Sequence, residues 1–303
     1  MTLAWNNSEK KNSDLLHKIS IPDFLKDKLG QVWQKSYGEI YEIATEEASS
    51  LQDDLGDILE LFNDDNRTLA HLRYVWMALI LAMVVKPTIE YYQSDNSIPD
   101  ETVEKIAVWL LRAIKVRISY KSSSVEILSS ISIFPKKKPE GFQVLYEALD
   151  VYINAIKTLD QKQSLEALID ILDDCLEGYA IFPGSSGRRE LLNWWLLDVV
   201  PATWYLLPPN FIYVVNSLPN TEKIIFSQMK KLEEISSAMW SVMIEAQRNM
   251  ISLNSQNDME SDVRAYDNFN LDRALSNNHE NNVNILQLRS DNNERTNYYS
   301  RIA

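Results

Sequence analysis

The stretch "YVWMALILAMVV", Tyr74 to Val85, decides the fold. Its 12 residues are apolar without interruption and are bounded by Arg73 and Lys86. A membrane-spanning helix needs roughly 20 such residues, so this run is too short to cross a bilayer and reads as a helix buried in protein. A helix that is apolar all round needs neighbours on every side. The remainder of the chain is expected to supply them as amphipathic helices.

The flanking sequence carries that expectation. Only 7 glycines occur in 303 residues, and apolar positions recur three and four apart, the spacing of helices rather than strands. Before the apolar run, a stripe through Tyr37, Ile40, Tyr41, Ala44, Ala48, Leu51, Leu55, Ile58 and Phe62 predicts a helix from Pro22 to Phe62, bent or interrupted near Gly30 and Gly38. The run itself belongs to a helix from Asn66 to Tyr91. In "SIPDETVEKIAVWLLRAIKVRIS", from residue 97, Ser97 is placed to cap and Asp100 to reach back, as in a capping box. The end of that segment, Ile114 to Lys121, also alternates like a strand, which would stop the helix early. Two prolines in "FPKKKPEG", residues 134–141, break the chain before helices at 142–159 and 164–177, the latter with Gly178 at its C-cap. A long helix is expected from Thr221 to Leu253. The fold class is all-α, a multi-helix bundle or irregular helical stack of about nine helices.

Domain organisation follows from composition. Residues 1–19 read as a flexible N-terminal segment, 20–253 as one all-helical domain and 254–303 as an Asn-rich acidic tail. The tail has too few branched apolar residues to offset its chain entropy and is expected to be disordered. Two short apolar patches interrupt it, Tyr266 with Phe269 and Leu271, and Ile285 with Leu286 and Leu288. A net charge of -13 argues against a general nucleic-acid binder. One cysteine, Cys175, and three histidines provide neither a disulfide nor a Cys/His zinc cage, which points to a reducing, cytoplasmic setting. "MTLAWNNSEKKNSDLL" lacks the apolar core of a secretory signal. His71 reads as a packed or helix-surface histidine and Cys175 as a small buried hydrophobe.

Four features are candidates for function. The first is "GSSGRRE", in which Ser185, Ser186, Gly187, Arg188 and Arg189 form a candidate anion site of helix-start amides and guanidinium donors. The same residues suit a structural role, with Ser185 or Ser186 capping the helix and the arginines pairing with Asp173, Asp174 or Glu177. The second is the segment Trp194 to Val215, long enough for a membrane but broken by Pro201, Pro208 and Pro209. Its one charge, Asp198, needs a partner, expected to be Arg188, Arg189, Arg67 or Arg73. The third is charge segregation. Ten acids and no base lie between Glu39 and Asp65, whereas the bases Arg112, Lys115, Arg117, Lys121, Lys136, Lys137 and Lys138 form a candidate partner-binding block.

The fourth is a pair of acidic pentapeptides, "DDLGD" from Asp53 and "DDCLE" from Asp173. On helices, Asp53 and Asp57 share a face, as do Asp173 and Glu177. The two resemble the paired aspartate-rich motifs of isoprenoid diphosphate synthases, a likeness confined to these pentapeptides. It implies magnesium ligation by Asp53, Asp54, Asp57, Asp173, Asp174 and Glu177 and an allylic diphosphate substrate. The family's arginine pair follows its first motif, whereas Arg188 and Arg189 follow the second here. The leading expectation is a non-enzymatic intracellular interaction or regulatory protein, without cofactor, that presents acidic and basic helical faces to protein partners. A magnesium-dependent synthase and a peripheral membrane protein docking through residues 194–215 are the alternatives.

Overall fold

The computed structural model describes residues 21–42, 50–63, 67–118, 143–181, 187–215 and 220–257. In chain order the helices are α1 (Asp23–Trp33), α2 (Leu51–Glu60), α3 (Arg67–Tyr92), α4 (Ile98–Ile118), α5 (Gln143–Lys157) and α6 (Ser164–Leu176). Next comes α7, in which Arg188–Trp194 runs through a π-helical turn, Trp195–Val199, into Val200–Trp204, and last α8 (Thr221–Asn257). Short 3₁₀ turns occupy Gly38–Ile40 and Leu61–Asn63. The fold is all-α, with eight helices and no strand among the described residues. The chain divides into two units, residues 1–249 and 250–303. Of the second, only 250–257 are described, as helix.

The apolar run lies in α3, whose 26 residues span about 39 Å. By length and composition α3 is the one described helix apolar enough to cross a membrane, and 89% of its most apolar window is buried inside the protein. Helices α4, α5 and α6 pack against it, as do the last piece of α7 and the 3₁₀ turn at Leu61–Asn63. Around it α4 adjoins α5, α5 adjoins α6, and α6 adjoins α2. The polar tips of the buried side chains on α3 reach neighbouring carbonyls. Tyr74 Oη donates to Leu59 O (2.7 Å), Trp76 Nε1 to Leu207 O (2.8 Å), and Arg73 Nε to Trp204 O (2.9 Å). His71 is buried, its Nε2 lying 2.8 Å from Thr158 O and its ring edge-on to Trp109. Each bond satisfies a buried carbonyl that would otherwise be costly to desolvate.

Pro87 sits inside α3. A proline has no N–H, so the carbonyl four residues earlier, Met83 O, loses its helical donor. Gln228 of α8 supplies one, with Nε2 donating to Met83 O at 2.7 Å from a buried position. At the preceding residue of α3, Tyr152 of α5 donates its hydroxyl to Ala82 O at 2.7 Å. The gap in the α3 ladder is thereby the point to which α8 is keyed. Leu232, Ile235, Met239 and Met243 bury the same side of α8, and Ser236 Oγ donates to Leu206 O at 2.8 Å.

The tryptophan-rich segment belongs to the core. Trp194, Trp195, Leu196, Val199, Val200, Ala202, Tyr205, Leu206 and Leu207 are buried. The π turn precedes Pro201, whose ring would clash with the carbonyl four residues back, and the wider turn relieves that clash. Leu206, at φ 55°, ends the rod in the left-handed conformation that glycine usually takes. Asp198 is met by amides, and Arg188 and Arg189, two of the four arginines expected to pair with it, are engaged elsewhere. The Asn210 backbone N–H donates to both carboxylate oxygens (3.0 and 2.9 Å), Asn210 Nδ2 donates at 2.6 Å, and Phe211 N at 3.4 Å. The carboxylate therefore anchors the chain where Pro208 and Pro209 have removed donors of their own.

The expected interruption near Gly38 is present and divides Pro22–Phe62 into α1 and α2, whereas Gly30 lies inside α1; within the break the Tyr37 hydroxyl donates to Asp54 Oδ2 at 2.8 Å. Two other expectations change. Ser97 pairs with Glu101 (2.7 Å) and Asp100 with Lys86, so no capping box forms at α4. Helix α4 continues to Ile118 without becoming a strand.

Truncation of Gln228 to Ala leaves Met83 O without its donor and should lower stability by about 1–3 kcal/mol in urea unfolding. With Pro87→Ala, which restores the N–H, the same truncation should cost markedly less. Equal losses in both backgrounds would show that the proline gap does not fix α8.

Candidate functional site

The outward faces of α2 and α6 form one acidic surface. On α2, Asp53, Asp57 and Glu60 are exposed; on α6, Glu166, Asp170 and Asp173 are exposed. The helices approach closely at Gly56, where a Cβ would lie 3.9 Å from Ile169 Cδ1. Ser50 caps α2 by accepting from Asp53 N (3.4 Å), and Glu39 accepts from Leu51 N (3.0 Å), so local capping sets the direction of the acids.

The two pentapeptides lie on these adjacent helices, but their carboxylates do not converge. Asp54 is buried and is held by Lys35 (2.7 Å), Lys28 (3.3 Å) and the Tyr37 hydroxyl (2.8 Å). Burial pushes its carboxyl upward, yet the hydrogen bonds from Lys35 and Tyr37 outweigh this and hold it below the usual range. Asp57 pairs with Lys28 at 2.6 Å. Among the described residues no group of three Asp, Glu, His or Cys side chains is placed to hold a metal ion. The residues do not fit the magnesium pair that the resemblance implies.

Asp174 and Glu177 sit at the end of α6 in a strongly anionic setting. Burial first, then the carboxylates of Asp150, Glu147, Asp173 and Asp170, push Asp174 up to about 7. Burial, Asp173 and Glu39 push Glu177 up to about 7 against the opposing pull of Arg188. Asp170 is raised in the same way, by burial ahead of Glu166 and Asp173. Glu147 and Asp150 come from α5 and gave no signal in sequence, being some 25 residues from the motif they affect. Glu147 accepts the Tyr179 N–H, and Gly178 is required beside it, because a Cβ there would lie 2.7 Å from Glu147 Oε2 and 2.8 Å from Asp174 O. Gly178, the residue after the Glu177 C-cap, is thus kept by close approach.

The arginine pair is spent on helix ends. Arg188 donates to Glu177 O and to Gly178 O (2.7 Å), and its guanidinium lies 4.3 Å from the Tyr41 ring centroid and 5.5 Å from that of Tyr179. Arg189 donates to Trp33 O and to Lys35 O (2.7 Å), with Glu42 Oε2 at 3.4 Å. The two side chains therefore close the C-termini of α6 and α1, where unpaired carbonyls and the negative end of the dipole attract cations. Carbonyls and, for Arg189, the Glu42 carboxylate are their partners, and among the described residues neither arginine forms an ion pair with the expected Asp173, Asp174 or Glu177. Ser185 and Ser186 lie outside the described residues, and Gly187 accepts the Tyr213 hydroxyl at 3.1 Å.

Of the basic block, Arg112 and Lys115 are exposed on α4. Arg117 lies in α4 with its side chain outside the description, and Lys121, Lys136, Lys137 and Lys138 lie outside the described residues. Residues 254–257 of the expected tail continue α8 as helix, and residues 258–303 and 1–19 also fall outside the described residues. Cys175 is buried, which pushes its thiol well up. Compared with protein-family models, curated proteins and solved structures, the chain matches none.

The raised carboxyls have a consequence for stability. Their folded values, about 7, lie above the unfolded values near 4, so the folded protein holds more protons between those limits and is stabilised by acid there. The melting temperature should rise as pH falls from about 7.5 to about 5.5, a window in which depressed groups such as Asp54 do not titrate. Asp174→Asn with Glu177→Gln should raise the melting temperature at the upper pH and flatten the profile. An unchanged slope in that variant would contradict the assignment.

Proposed function

We propose that this chain is a non-enzymatic intracellular interaction protein that uses the acidic face of α2 and α6 to bind a basic segment of another protein. The observation that carries the reading is the placement of Asp53, Glu166, Asp170 and Asp173, exposed on neighbouring helices and forming no ion pair among the described residues. Like charges held together by the fold raise the local potential, and a cationic partner relieves it. Support also comes from the other ionised groups of the region. Asp54, Arg188 and Arg189 are committed to structural contacts, which leaves the outward acids as the groups available to a partner. The buried thiol of Cys175 is in keeping with a reducing compartment.

A labelled Lys/Arg-rich peptide tests the reading by fluorescence anisotropy at physiological salt. Replacing Glu166, Asp170 and Asp173 by their amides should weaken binding about tenfold, since rim charges of this kind steer and hold charged partners. Replacing Glu233, Glu234 and Glu245 of α8 by Gln changes net charge equally and should leave the affinity nearly unaltered. Equal weakening by both triples would reduce the effect to diffuse attraction and defeat the proposal.

A further inference from the structure

Helix α4 carries a second charged surface, with α5 between it and the α6 side of the acidic face. Glu101, Glu104, Val108, Arg112 and Lys115 are all exposed, Val108 at 39%. Their spacing of three, four, four and three residues puts them on one straight stripe of the helix, since each step returns within about 60° of the starting direction. Its sequence is acid, acid, apolar, base, base. Glu104, Arg112 and Lys115 form no ion pair or side-chain hydrogen bond among the described residues, and Glu101 only a 4.0 Å contact with Lys105 and a bond from Ser97.

We propose that this stripe is the interface of a homodimer in which the α4 helices of two copies lie antiparallel, with a two-fold axis at Val108. An isologous contact requires that residue i of one copy meet residue j of the other and the reverse. About Val108 that rule pairs Glu101 with Lys115 of the second copy and Glu104 with Arg112, each twice, around a Val108–Val108 contact. Four ion pairs result with no like charges opposed, whereas a parallel arrangement would oppose acid to acid and base to base. The charge order selects both partner and orientation, as flanking charges do in coiled coils. At physiological ionic strength the Debye length is about 8 Å, so the net charge of the rest of each copy is largely screened while the contact pairs are not. One helical stripe buries less than the roughly 1,200–2,000 Å² of a stable interface, so the dimer is weak, with Kd on the order of 0.1 mM. This surface does not depend on the acidic-face reading, and either can fail alone.

Sedimentation equilibrium of the full chain between about 10 µM and 1 mM tests it. The wild type should associate to a dimer. Glu101→Lys with Glu104→Lys should be monomeric even though it lowers the net negative charge, and Arg112→Glu with Lys115→Glu should also be monomeric. Mixed together, these two variants should form a heterodimer, because one stripe is then wholly basic and the other wholly acidic. The chain carrying all four reversals should dimerise with itself, because the antiparallel pairing is restored with its signs exchanged. Under mild oxidation Val108→Cys should cross-link to a disulfide dimer, while Phe226→Cys, exposed on α8, should not. A wild type that stays monomeric at 1 mM, a Glu101→Lys/Glu104→Lys variant that dimerises like the wild type, or a mixture that fails to associate would each overturn the proposal.

Discussion

Everything in this fold depends on the burial of α3. A helix that is apolar around its whole circumference has no stable place in water, and its run of Val, Trp, Met, Leu and Ile must be covered on every side. The amphipathic helices α4, α5 and α6 do this by turning their apolar stripes inward, which leaves their charged residues outside. Directionality comes from polar atoms. Tyr74, Trp76 and Arg73 reach out from α3 to carbonyls of the surrounding chain, and Tyr152 and Gln228 reach in. Apolar burial supplies the driving force and these bonds fix register. The proline within α3 makes the point clearly, because the vacancy it leaves at Met83 O is filled by one specific side chain of α8.

Charge has two distinct uses in the molecule. Arg188 and Arg189, adjacent in sequence, diverge to the C-termini of α6 and α1 and tie the start of α7 to both. Asp198 gathers the amides of Asn210 and Phe211, and Asp54 gathers two lysines and a tyrosine. Those groups hold backbone and turns. Asp53, Glu166, Asp170 and Asp173 on the outer faces of α2 and α6, and Glu104, Arg112 and Lys115 of the α4 stripe, form no ion pair among the described residues, and their common property is availability to another molecule. The acidic face and the α4 stripe differ in kind: one is a patch of a single sign suited to a cationic partner, the other is complementary to itself.

Much of the architecture was legible in sequence because helical periodicity reports burial directly. The limits of α3, α5, α6 and α8 fell within a few residues of expectation, and the short apolar run proved to be a core helix. What was not legible depends on contacts between distant residues. The stripe through Tyr37, Ile40 and Tyr41 has helical spacing, yet within the break near Gly38 the Tyr37 hydroxyl bonds Asp54, and Tyr41 adopts φ 63°. Asp198 plainly needed partners, but backbone amides twelve residues on carry no sequence signature. The acidic pentapeptides matched a metal-binding pattern by spacing alone, whereas Lys28 and Lys35, which occupy Asp54, are visible only in three dimensions. The raised carboxyls at Asp174 and Glu177 likewise require α5 to bring Glu147 and Asp150 alongside.

Native-state hydrogen exchange resolved by mass spectrometry tests the central role of α3 most directly. If its burial organises the fold, amides of Val75 to Val85 exchange only when the whole molecule unfolds, with protection matching the global unfolding free energy and exceeding that of α4 and α5. Exchange of these amides by a local opening, with α4 and α5 still protected, would contradict the account.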